Sequence, residues 1–373
     1  MVFLSIVIPA YNSEKTILLL LQSIAKSQKV VFSEIEVVVV DDASADATAE
    51  VGMSFFRTSQ VRSTCASGTK VVVLRNQWEY SKRQCLPAVA FKLIRLKKNQ
   101  GPAKARNIGV KHAKGKVVLF LDADVVLYKD TLFEIIRSFK NDPDLYALTG
   151  VWDKTQKSNK FFPKFKALRD WSYWINERDP KNYYYLFSTR VAAIKKDLFL
   201  RLGGFDTTYK HALVEDMELT YRIAKRYAVV FNPRAIVHHE FEDFFPIAKK
   251  YFWRSFYWSK IYRERKKFDP VATTGKEAAT TVSAGGVVLF TAVLLLSYLG
   301  NLGDPSTSLG TGLSKIALIG LIVVGVIHLF GVRKFLFFVS KEEGVVFAVK
   351  SFFVGIILYL VILAGAGASL IKK

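Results

Sequence analysis

Cysteine is scarce in this chain, which has only Cys65 and Cys85 among its 373 residues. Two cysteines exclude a scaffold held together by several disulfide bonds, and their spacing matches no zinc site. Acidic residues are also few, since 32 Asp and Glu stand against 54 Lys and Arg and leave a net charge of +22. This excess of positive charge favours anionic partners such as lipid phosphate or nucleic acid.

Charged residues are absent from three C-terminal windows, Val282–Leu299, Ile316–Val332 and Ser351–Ile371. Each window is close to the length of about 20 residues with which a helix crosses a bilayer. A buried core helix would explain any single window, but three in succession favour a membrane region. The sequence therefore predicts three transmembrane helices within residues 282–373.

The connections between these windows set the expected orientation. Gly300–Ser314 contains no basic residue, whereas Arg333–Lys350 contains four. Basic loops stay on the cytoplasmic side of a membrane. We therefore expect a multi-pass protein of the cell membrane whose N-terminal domain faces the cytoplasm.

Residues 244–281 form a basic and aromatic segment ahead of the first apolar window. Eight basic residues and one acidic residue lie between Lys249 and Lys267. Seven aromatic residues are interleaved with them: Tyr251, Phe252, Trp253, Phe256, Tyr257, Trp258 and Tyr262. Aromatic rings prefer the headgroup level, and each lysine is attracted to anionic lipid by about 1 kcal/mol. We expect an interfacial helix that contacts membrane lipids. Nucleic acid is the alternative anion, and the adjacent membrane spans argue against it.

The first 243 residues alternate between apolar strands and helices. Strands are predicted at Ser5–Asn12, where Pro9 ends the strand, and at Glu36–Val40, Leu93–Leu96 and Lys116–Leu121. Acidic, amide and cationic groups follow the carboxyl ends of these strands, and open α/β sheets bind ligands at that edge. The sequence therefore predicts an α/β domain with one ligand crevice.

Asp122 and Asp124 follow the last of these strands. Side chains at positions i and i+2 of a strand share a face, so both carboxylates can converge where the sheet meets solvent. Such oxygen ligands suit Mg²⁺ or Mn²⁺, which proteins commonly hold with one or two carboxylates and the phosphates of a substrate. A solvated turn after a strand is the alternative, because Asp favours turns.

Six short motifs follow one another in this part of the chain: Ile8–Asn12, Asp41–Thr48, Asn99–Asn107, Leu121–Asp124, Gly203–Asp206 and Glu215–Leu219. In this order they resemble the motifs of family-2 glycosyltransferases of the GT-A fold. The resemblance implies a Rossmann-like mixed α/β sheet domain in residues 1–243, with an insertion at about 52–90. The interfacial helix and three transmembrane helices would follow it.

The resemblance also implies a site for a nucleotide sugar, either a UDP- or a GDP-sugar. The implied donor-binding residues are Pro9, Tyr11, Asn12, Asp41, Asp42, Asn99, Gly101, Arg106 and Asp122. Among them, Pro9, Tyr11 and Asp42 would flank the base, while Arg106 and Asp122 would approach the ribose or the diphosphate. Asp122, Asp124 and His239 are the implied ligands of Mg²⁺ or Mn²⁺, with Asp124 as the chief ligand. Aligning by spacing favours His239 over His238, and a pair of ordinary half-buried histidines is the alternative.

Glu215 and Asp216 decide which chemistry is expected. An inverting transfer to a hydroxyl needs a base that takes the acceptor proton, and a carboxylate can do this. In the matching family motif the second acid is the usual base, so Asp216 receives that role and Glu215 a supporting or acceptor-binding one. The alternative is an acid-rich helix start, which the helix dipole favours.

One signature of processive family members, Gln-x-x-Arg-Trp, is absent from this sequence. We therefore expect an enzyme that adds one sugar to a lipid-linked or membrane-proximal hydroxyl at the cytoplasmic face. A polyprenyl-phosphate sugar synthase is the nearest alternative, because it would share the donor motifs but need no base. A catalytically silent membrane scaffold is a further alternative.

Overall fold

A computed structural model describes residues 1–63, 89–178, 184–208, 213–269, 271, 273–301 and 308–371. The chain forms two compact units. The first comprises Met1–Thr155 and Pro180–Glu240, and the second comprises Gln156–Asp179 and Phe241–Lys373. The domain limits expected from the sequence, with one boundary at residue 243, stay a prediction. Most of the insertion at 52–90, including a strand expected at Val71–Leu74, lies outside the described residues.

The first unit is built on a mixed sheet of eight described strands. These are β1 (Leu4–Ala10), β2 (Ile35–Asp41), β3 (Ala90–Arg95), β4 (Val117–Leu121), β5 (Val125–Leu127), β6 (Ala147–Trp152), β7 (Val191–Lys195) and β8 (Val229–His239). Their order in the sheet is β3-β2-β1-β4-β7-β6-β8-β5. The first four positions are parallel, whereas β7 runs antiparallel to both of its neighbours. This arrangement confirms the predicted mixed sheet.

Strand β1 continues through Pro9, although Pro9 was expected to end it. Pro9 is opposite Val40 of β2, and the strand ends at Ala10. On its other side β1 pairs with β4 only from Leu4 to Val7. Pro9 therefore lies where β1 has a single neighbour, and its missing N–H does not interrupt a ladder on both sides.

Helices cover the sheet of the first unit. They are α1 (Ile17–Ala25), α2 (Thr48–Ser63), α3 (Pro102–His112), α4 (Thr131–Asn141), α6 (Lys196–Arg201) and α7 (Glu215–Ile223). Helix α3 begins at Pro102, where the missing N–H of proline leaves no helical bond unmade, and Gly101 before it has φ of 86°. Gly109 of α3 packs directly on β1, because a Cβ there would lie 2.4 Å from Cγ1 of Val7.

Substitution of Gly109 by Ala should lower the stability of the protein by about 1–3 kcal/mol, because the added methyl group overpacks the contact with β1. Gly52→Ala in α2 is a matched control, since a Cβ at that position would meet nothing within 4 Å. Helix propensity alone should make that control more stable by about 0.5–1 kcal/mol. Denaturant titration of both variants measures the two changes in the free energy of unfolding, which should have opposite signs. A Gly109→Ala protein more stable than the parent would contradict the close packing of α3 on β1.

The second unit is helical in its described residues. It contains α5 (Phe161–Ser172), a π-helical turn (Tyr173–Glu177), α8 (Phe244–Arg265), α9 (Gly275–Asn301), α10 (Ser308–Glu343) and α11 (Val345–Ile371). Its core joins Phe162 and Phe165 of α5 to Phe335 of α10 and Leu358 of α11. The apolar residues of α5 recur at helical spacing, so one face of this helix is buried among the C-terminal helices.

Three of these helices are long and apolar enough to cross a membrane, namely Gly275–Leu299, Gly312–Glu343 and Val345–Ile371. This confirms the three expected apolar helices, which extend beyond the windows read from the sequence. The first part of the basic and aromatic segment forms α8, and its last residues begin α9. Helix α8 packs closely on α11, since a Cβ at Gly365 would lie 2.2 Å from the carbonyl oxygen of Phe252. Its location at a membrane interface stays a prediction.

Candidate functional site

The carboxyl ends of β1 and β2 hold the first predicted donor-binding residues. Two buried carboxylates lie at the carboxyl end of β2, where Asp41 is the last residue of the strand and Asp42 follows it. Asp42 accepts hydrogen bonds from the backbone N–H of Gln100 and of Gly101, each at 2.8 Å. Burial raises the pKa of Asp42, against the lowering effect of these two hydrogen bonds. Asp42 therefore anchors the turn that begins α3 and fixes where the N-terminus of that helix points.

Two neighbouring loops are tied together through Asn12. Its backbone N–H donates to Oγ of Ser44 at 2.9 Å, and its Oδ1 accepts from the backbone N–H of Ala45 at 2.9 Å. Tyr11 beside it is 51% exposed, Asn99 is also exposed, and Pro9 is partly buried. An exposed ring above this edge is available to stack on a base. The contacts of these residues with a nucleotide stay predictions.

Arg106 of α3 joins two parts of the site that are far apart in the sequence. Its Nη2 donates to Oδ1 of Asp122 at 2.7 Å, and its Nη1 donates to Oε1 of Glu215 at 3.0 Å. The arginine is only 2% exposed. Burial lowers the pKa of Arg106, but Asp122 and Glu215 raise it more, so the guanidinium stays charged. Arg106 thus holds both acids in place, and its approach to the ribose or the diphosphate of a nucleotide stays a prediction.

Arg106→Gln should destabilise the protein by about 3–5 kcal/mol, because it leaves two carboxylates without their buried cation. Arg137→Gln is the control, since Arg137 is 47% exposed and pairs with Glu134 along one helix at 3.5 Å. Its substitution should change stability by less than about 1 kcal/mol. Thermal unfolding measures both variants, and equal small shifts would show that Arg106 is not essential to this arrangement.

Asp124 and His239 meet at the far end of the same edge. Strand β5 pairs with β8 so that Val125 lies opposite His239, which brings Nε2 of His239 to 3.3 Å from Oδ2 of Asp124. Partial removal from solvent raises the pKa of Asp124, but His239 and Arg190 outweigh this effect and lower that pKa to about 2. Burial and Arg190 lower the pKa of His239. The pair therefore offers an ionised carboxylate and an imidazole that favours its neutral, ligating form.

Asp124 and His239 fit one half of a divalent-cation site. Among the described residues, no three side chains of His, Cys, Asp or Glu come together as a complete set of metal ligands. Asp124 and His239 can supply two ligands, while Oδ1 of Asp122 is directed to Arg106. Mg²⁺ and Mn²⁺ commonly take few protein ligands and complete their shell with substrate phosphates and water. The two side chains thus suit a cation whose remaining ligands are phosphate oxygens and water, and the role of Asp122 as a ligand stays a prediction.

His238 points away from this pair. Its Nδ1 lies 3.1 Å from Oδ2 of Asp153, and its Nε2 lies 2.7 Å from Oε1 of Glu240. Hydrogen bonding to Asp153, which outweighs burial, raises the pKa of His238. Adjacent residues of a strand point to opposite faces, so only one histidine of the pair can lie beside Asp124.

The two acids at the start of α7 have different surroundings. Glu215 is 3% exposed, and both of its oxygens are engaged, Oε1 by Arg106 and Oε2 by the backbone N–H of Leu213 at 2.8 Å. Asp216 is partly buried, and its Oδ1 accepts from the backbone N–H of Met217 at 2.8 Å. Glu215 is therefore held by Arg106 and by the backbone of its own segment, and the roles of Asp216 as the base and of Glu215 beside it stay predictions.

Asn107 is a site residue that sequence reasoning did not single out. Its Nδ2 donates to the carbonyl of Phe205 at 2.8 Å, and its Oδ1 accepts from the N–H of Phe205 at 2.9 Å. Gly204 has φ of 75°, and a Cβ there would lie 2.6 Å from Oδ1 of Asn107. This clamp holds the turn before Asp206 against α3. The motif Asn99–Asn107 contains this residue, but its partner Phe205 is about a hundred positions away, so no local sequence pattern could predict the contact.

Comparison with known proteins agrees with this geometry. The sequence model of glycosyl transferase family 2 matches residues 5–82 and 79–199, more than half of the chain. Poly(ribitol-phosphate) beta-N-acetylglucosaminyltransferase TarS of Staphylococcus aureus strain Mu50 is 36% identical over 151 residues, which cover 39% of this chain and 21% of TarS. Glucosyl-dolichyl phosphate glucuronosyltransferase of Haloferax volcanii is 25% identical over 195 residues, which cover 48% of this chain and 60% of the relative. The matches thus span less than two thirds of either relative.

A solved structure supports the fold. Mannosyltransferase PcManGT from Pyrobaculum calidifontis, determined with GDP-Man and Mn²⁺, superposes with a TM-score of 0.54 at 17% identity and covers 99% of this chain and 88% of its own. At this identity the likeness establishes the fold alone, and it confirms the expected GT-A type sheet domain with apolar helices after it. Together with the family match, this shows that the chain belongs to glycosyl transferase family 2.

Proposed function

We propose that the protein is a membrane-anchored, metal-dependent, inverting glycosyltransferase that moves one sugar from a nucleotide sugar to a hydroxyl of a lipid-linked or membrane-proximal acceptor. The catalytic unit would face the cytoplasm, because basic residues at 333–350, where α10 ends and α11 begins, favour that side. A UDP- or GDP-sugar would be the donor. PcManGT was solved with GDP-Man, which supports this class of donor. The name of the Haloferax relative includes a glucosyl-dolichyl phosphate, which supports a lipid-linked acceptor.

The observation that carries the proposal is the bridge through Arg106. This one buried cation holds Asp122, which follows the strand of the predicted donor site, and Glu215, which precedes the predicted base. Asp216 also raises the pKa of Arg106, which places its charge in the same cluster. These contacts support an arrangement in which the acids proposed for the donor and for the acceptor lie around one guanidinium, as an enzyme that joins two substrates requires.

In this proposal Asp216 takes the proton of the acceptor hydroxyl as the new bond to the sugar forms. Glu215 and Arg106 hold the first turn of α7 in place, so the base is delivered in a fixed position. Asp124 and His239 would hold the cation. When bound, Mg²⁺ or Mn²⁺ supplies positive charge to the leaving nucleotide diphosphate. Asp42 and Asn12 shape the loops against which the nucleotide would lie.

A polyprenyl-phosphate sugar synthase is the second candidate. A phosphate acceptor is ionised at neutral pH and needs no base, and the cationic helix α8 would attract it. The Asp124–His239 pair argues against a catalytically silent scaffold, because a protein without catalysis would have no use for a cation site at this edge of the sheet.

A donor screen tests the proposal. The purified full-length protein is incubated with a panel of UDP- and GDP-sugars, Mn²⁺ and a membrane lipid extract. We expect label from one nucleotide sugar to enter the lipid phase. Hydrolysis of a nucleotide sugar without lipid labelling would contradict the acceptor class, and the absence of both activities across the panel would favour the scaffold.

A further inference from the structure

Arg190 lies at the carboxyl edge of β4, immediately before β7 begins. In the antiparallel ladder of β4 and β7, the last pair at this edge joins Leu121 to Val191. Asp122 and Arg190 are the next residues of the two chain segments, so they leave the ladder side by side. The sheet therefore places an arginine next to the predicted donor-binding residue Asp122.

A tryptophan holds this arginine beside the strand that carries His239. Cζ of Arg190 lies 4.6 Å from the ring centroid of Trp152, the last residue of β6. Trp152 is buried, whereas Arg190 is partly exposed. Trp152 is opposite Val237 of β8, two residues before His239. Because the N–H groups of a guanidinium lie in its plane, stacking on a ring does not prevent contact with a phosphate at its edge.

The charge of Arg190 acts on both members of the Asp124–His239 pair. Removal from solvent is the largest influence on each, since it raises the pKa of Asp124 and lowers that of His239. The positive charge of Arg190 lowers both pKa values in addition. A nearby cation has this effect because it stabilises a carboxylate and opposes protonation of an imidazole. The strand register and the electrostatics thus agree that Arg190 lies beside the proposed cation site.

The order of the strands indicates which part of a donor Arg190 would meet. Tyr11 and Asp42, which are expected to flank the base, follow β1 and β2. Along the same edge, β4 and then β7 come after β1. A nucleotide with its base at β1 and β2 would therefore extend its diphosphate past Asp122 towards Arg190. The phosphate farther from the base, which carries the sugar, would reach farthest along this edge.

We propose that Arg190 binds the β-phosphate of the nucleotide-sugar donor and stabilises the charge that this phosphate gains during transfer. The inference rests on the proposed function, because it takes a nucleotide sugar as the donor. All residues that support it belong to the first unit.

The proposed role follows from the charges in the reaction. The bond between the anomeric carbon of the sugar and an oxygen of the β-phosphate breaks, and its electron pair stays on that oxygen. A new bond joins the anomeric carbon to the acceptor oxygen, whose proton goes to Asp216. The β-phosphate therefore gains one negative charge. A permanently charged guanidinium can donate two parallel hydrogen bonds to it, which is the contact with phosphate for which arginine is best suited.

Calorimetric titration of the full-length protein in detergent tests this contact without any sugar transfer. UDP, GDP, UMP and GMP are titrated separately in the presence of Mn²⁺. We expect the parent protein to bind one of the diphosphates more tightly than the corresponding monophosphate. Arg190→Gln should bind that diphosphate more weakly by about tenfold or more, and the monophosphate within about twofold of the parent, because only the terminal phosphate loses its partner.

Two further variants complete the test. Arg137→Gln is the matched control, because Arg137 also contacts a ring, with Cζ 6.0 Å from the centroid of Phe133, but lies within α4 and pairs with Glu134. It should bind both nucleotides within about twofold of the parent. Arg190→Lys keeps the charge but loses the planar fork, so its affinity for the diphosphate should lie between the parent and Arg190→Gln. Thermal unfolding verifies that each variant is folded.

The outcomes separate this inference from the proposed function. If Arg190→Gln loses monophosphate and diphosphate binding equally, the residue acts through the fold rather than on the β-phosphate. Diphosphate binding that matches the Arg137→Gln control would show that Arg190 does not contact the donor. Either result overturns the inference and leaves the proposed function standing. A parent protein that binds neither UDP nor GDP would overturn both the inference and the proposed class of donor.

Discussion

Asp124→Asn is expected to reduce sugar transfer by about 10³-fold or more, since a metal ion contributes several kcal/mol to stabilising the leaving diphosphate. The amide is a much poorer ligand for a hard cation than the carboxylate it replaces. The fold should survive, because the side chain of Asp124 is 53% exposed at the end of the sheet. Steady-state transfer by parent and variant measures the effect, and excess chelator should reduce the parent to the same level.

Asp197→Asn provides the control for this prediction. Asp197 is an equally exposed acid of the same unit, at 59%, and it pairs with Arg201 along α6. Its substitution should leave transfer within about twofold and stability within about 0.5 kcal/mol of the parent. Full activity of the parent in excess chelator, or of Asp124→Asn, would show that the Asp124–His239 pair does not serve a metal.

Asp216→Asn should lower transfer by about 10²–10⁴-fold if the acceptor is a hydroxyl, because the base that takes its proton is lost. Donor affinity should change little, since Asp42, Asn12 and the Asp124–His239 pair are untouched. With a phosphate acceptor the nucleophile is already ionised, and the same substitution should have a much smaller effect. Single-turnover transfer at saturating donor, together with calorimetric donor affinity, separates the two cases.

Glu218→Gln is the matched control on the same helix. Glu218 pairs with Arg222 one turn further on, and both of its oxygens accept from that arginine. The change should therefore cost stability rather than chemistry, with transfer by the folded protein within about threefold of the parent. Normal donor binding and transfer within a few-fold by Asp216→Asn would favour the polyprenyl-phosphate synthase.

The sequence was sufficient for the features that depend on local pattern. The apolar run of β2 predicted a buried strand, and the structure extends it by one residue at each end to Ile35–Asp41. The three uncharged windows also predicted the apolar helices, because length and composition alone decide whether a helix can span a bilayer. The order of six motifs was specific enough to identify the family.

The sequence was not sufficient where distant residues meet. Arg106 was expected to approach the ribose or diphosphate, and no local pattern could reveal its contact with Glu215, 109 positions away. The burial of α5 among the C-terminal helices could not be predicted either. The apolar face of an amphipathic helix indicates that the helix packs on another element, but it does not indicate which one. The position of His328 within an uncharged window did not predict its partner either. The residue is buried, and its Nδ1 lies 3.1 Å from the carbonyl oxygen of Thr280 in α9.

The most direct test of the account is the chemical nature of the labelled lipid. After transfer from the active nucleotide sugar, the lipid phase is treated with mild acid and the released saccharides are separated by size. Transfer to a hydroxyl predicts that the label is released on a disaccharide or longer chain, or stays bound to the lipid. Release of the label as a free monosaccharide would show that the sugar had been attached to a phosphate, and would contradict the central claim.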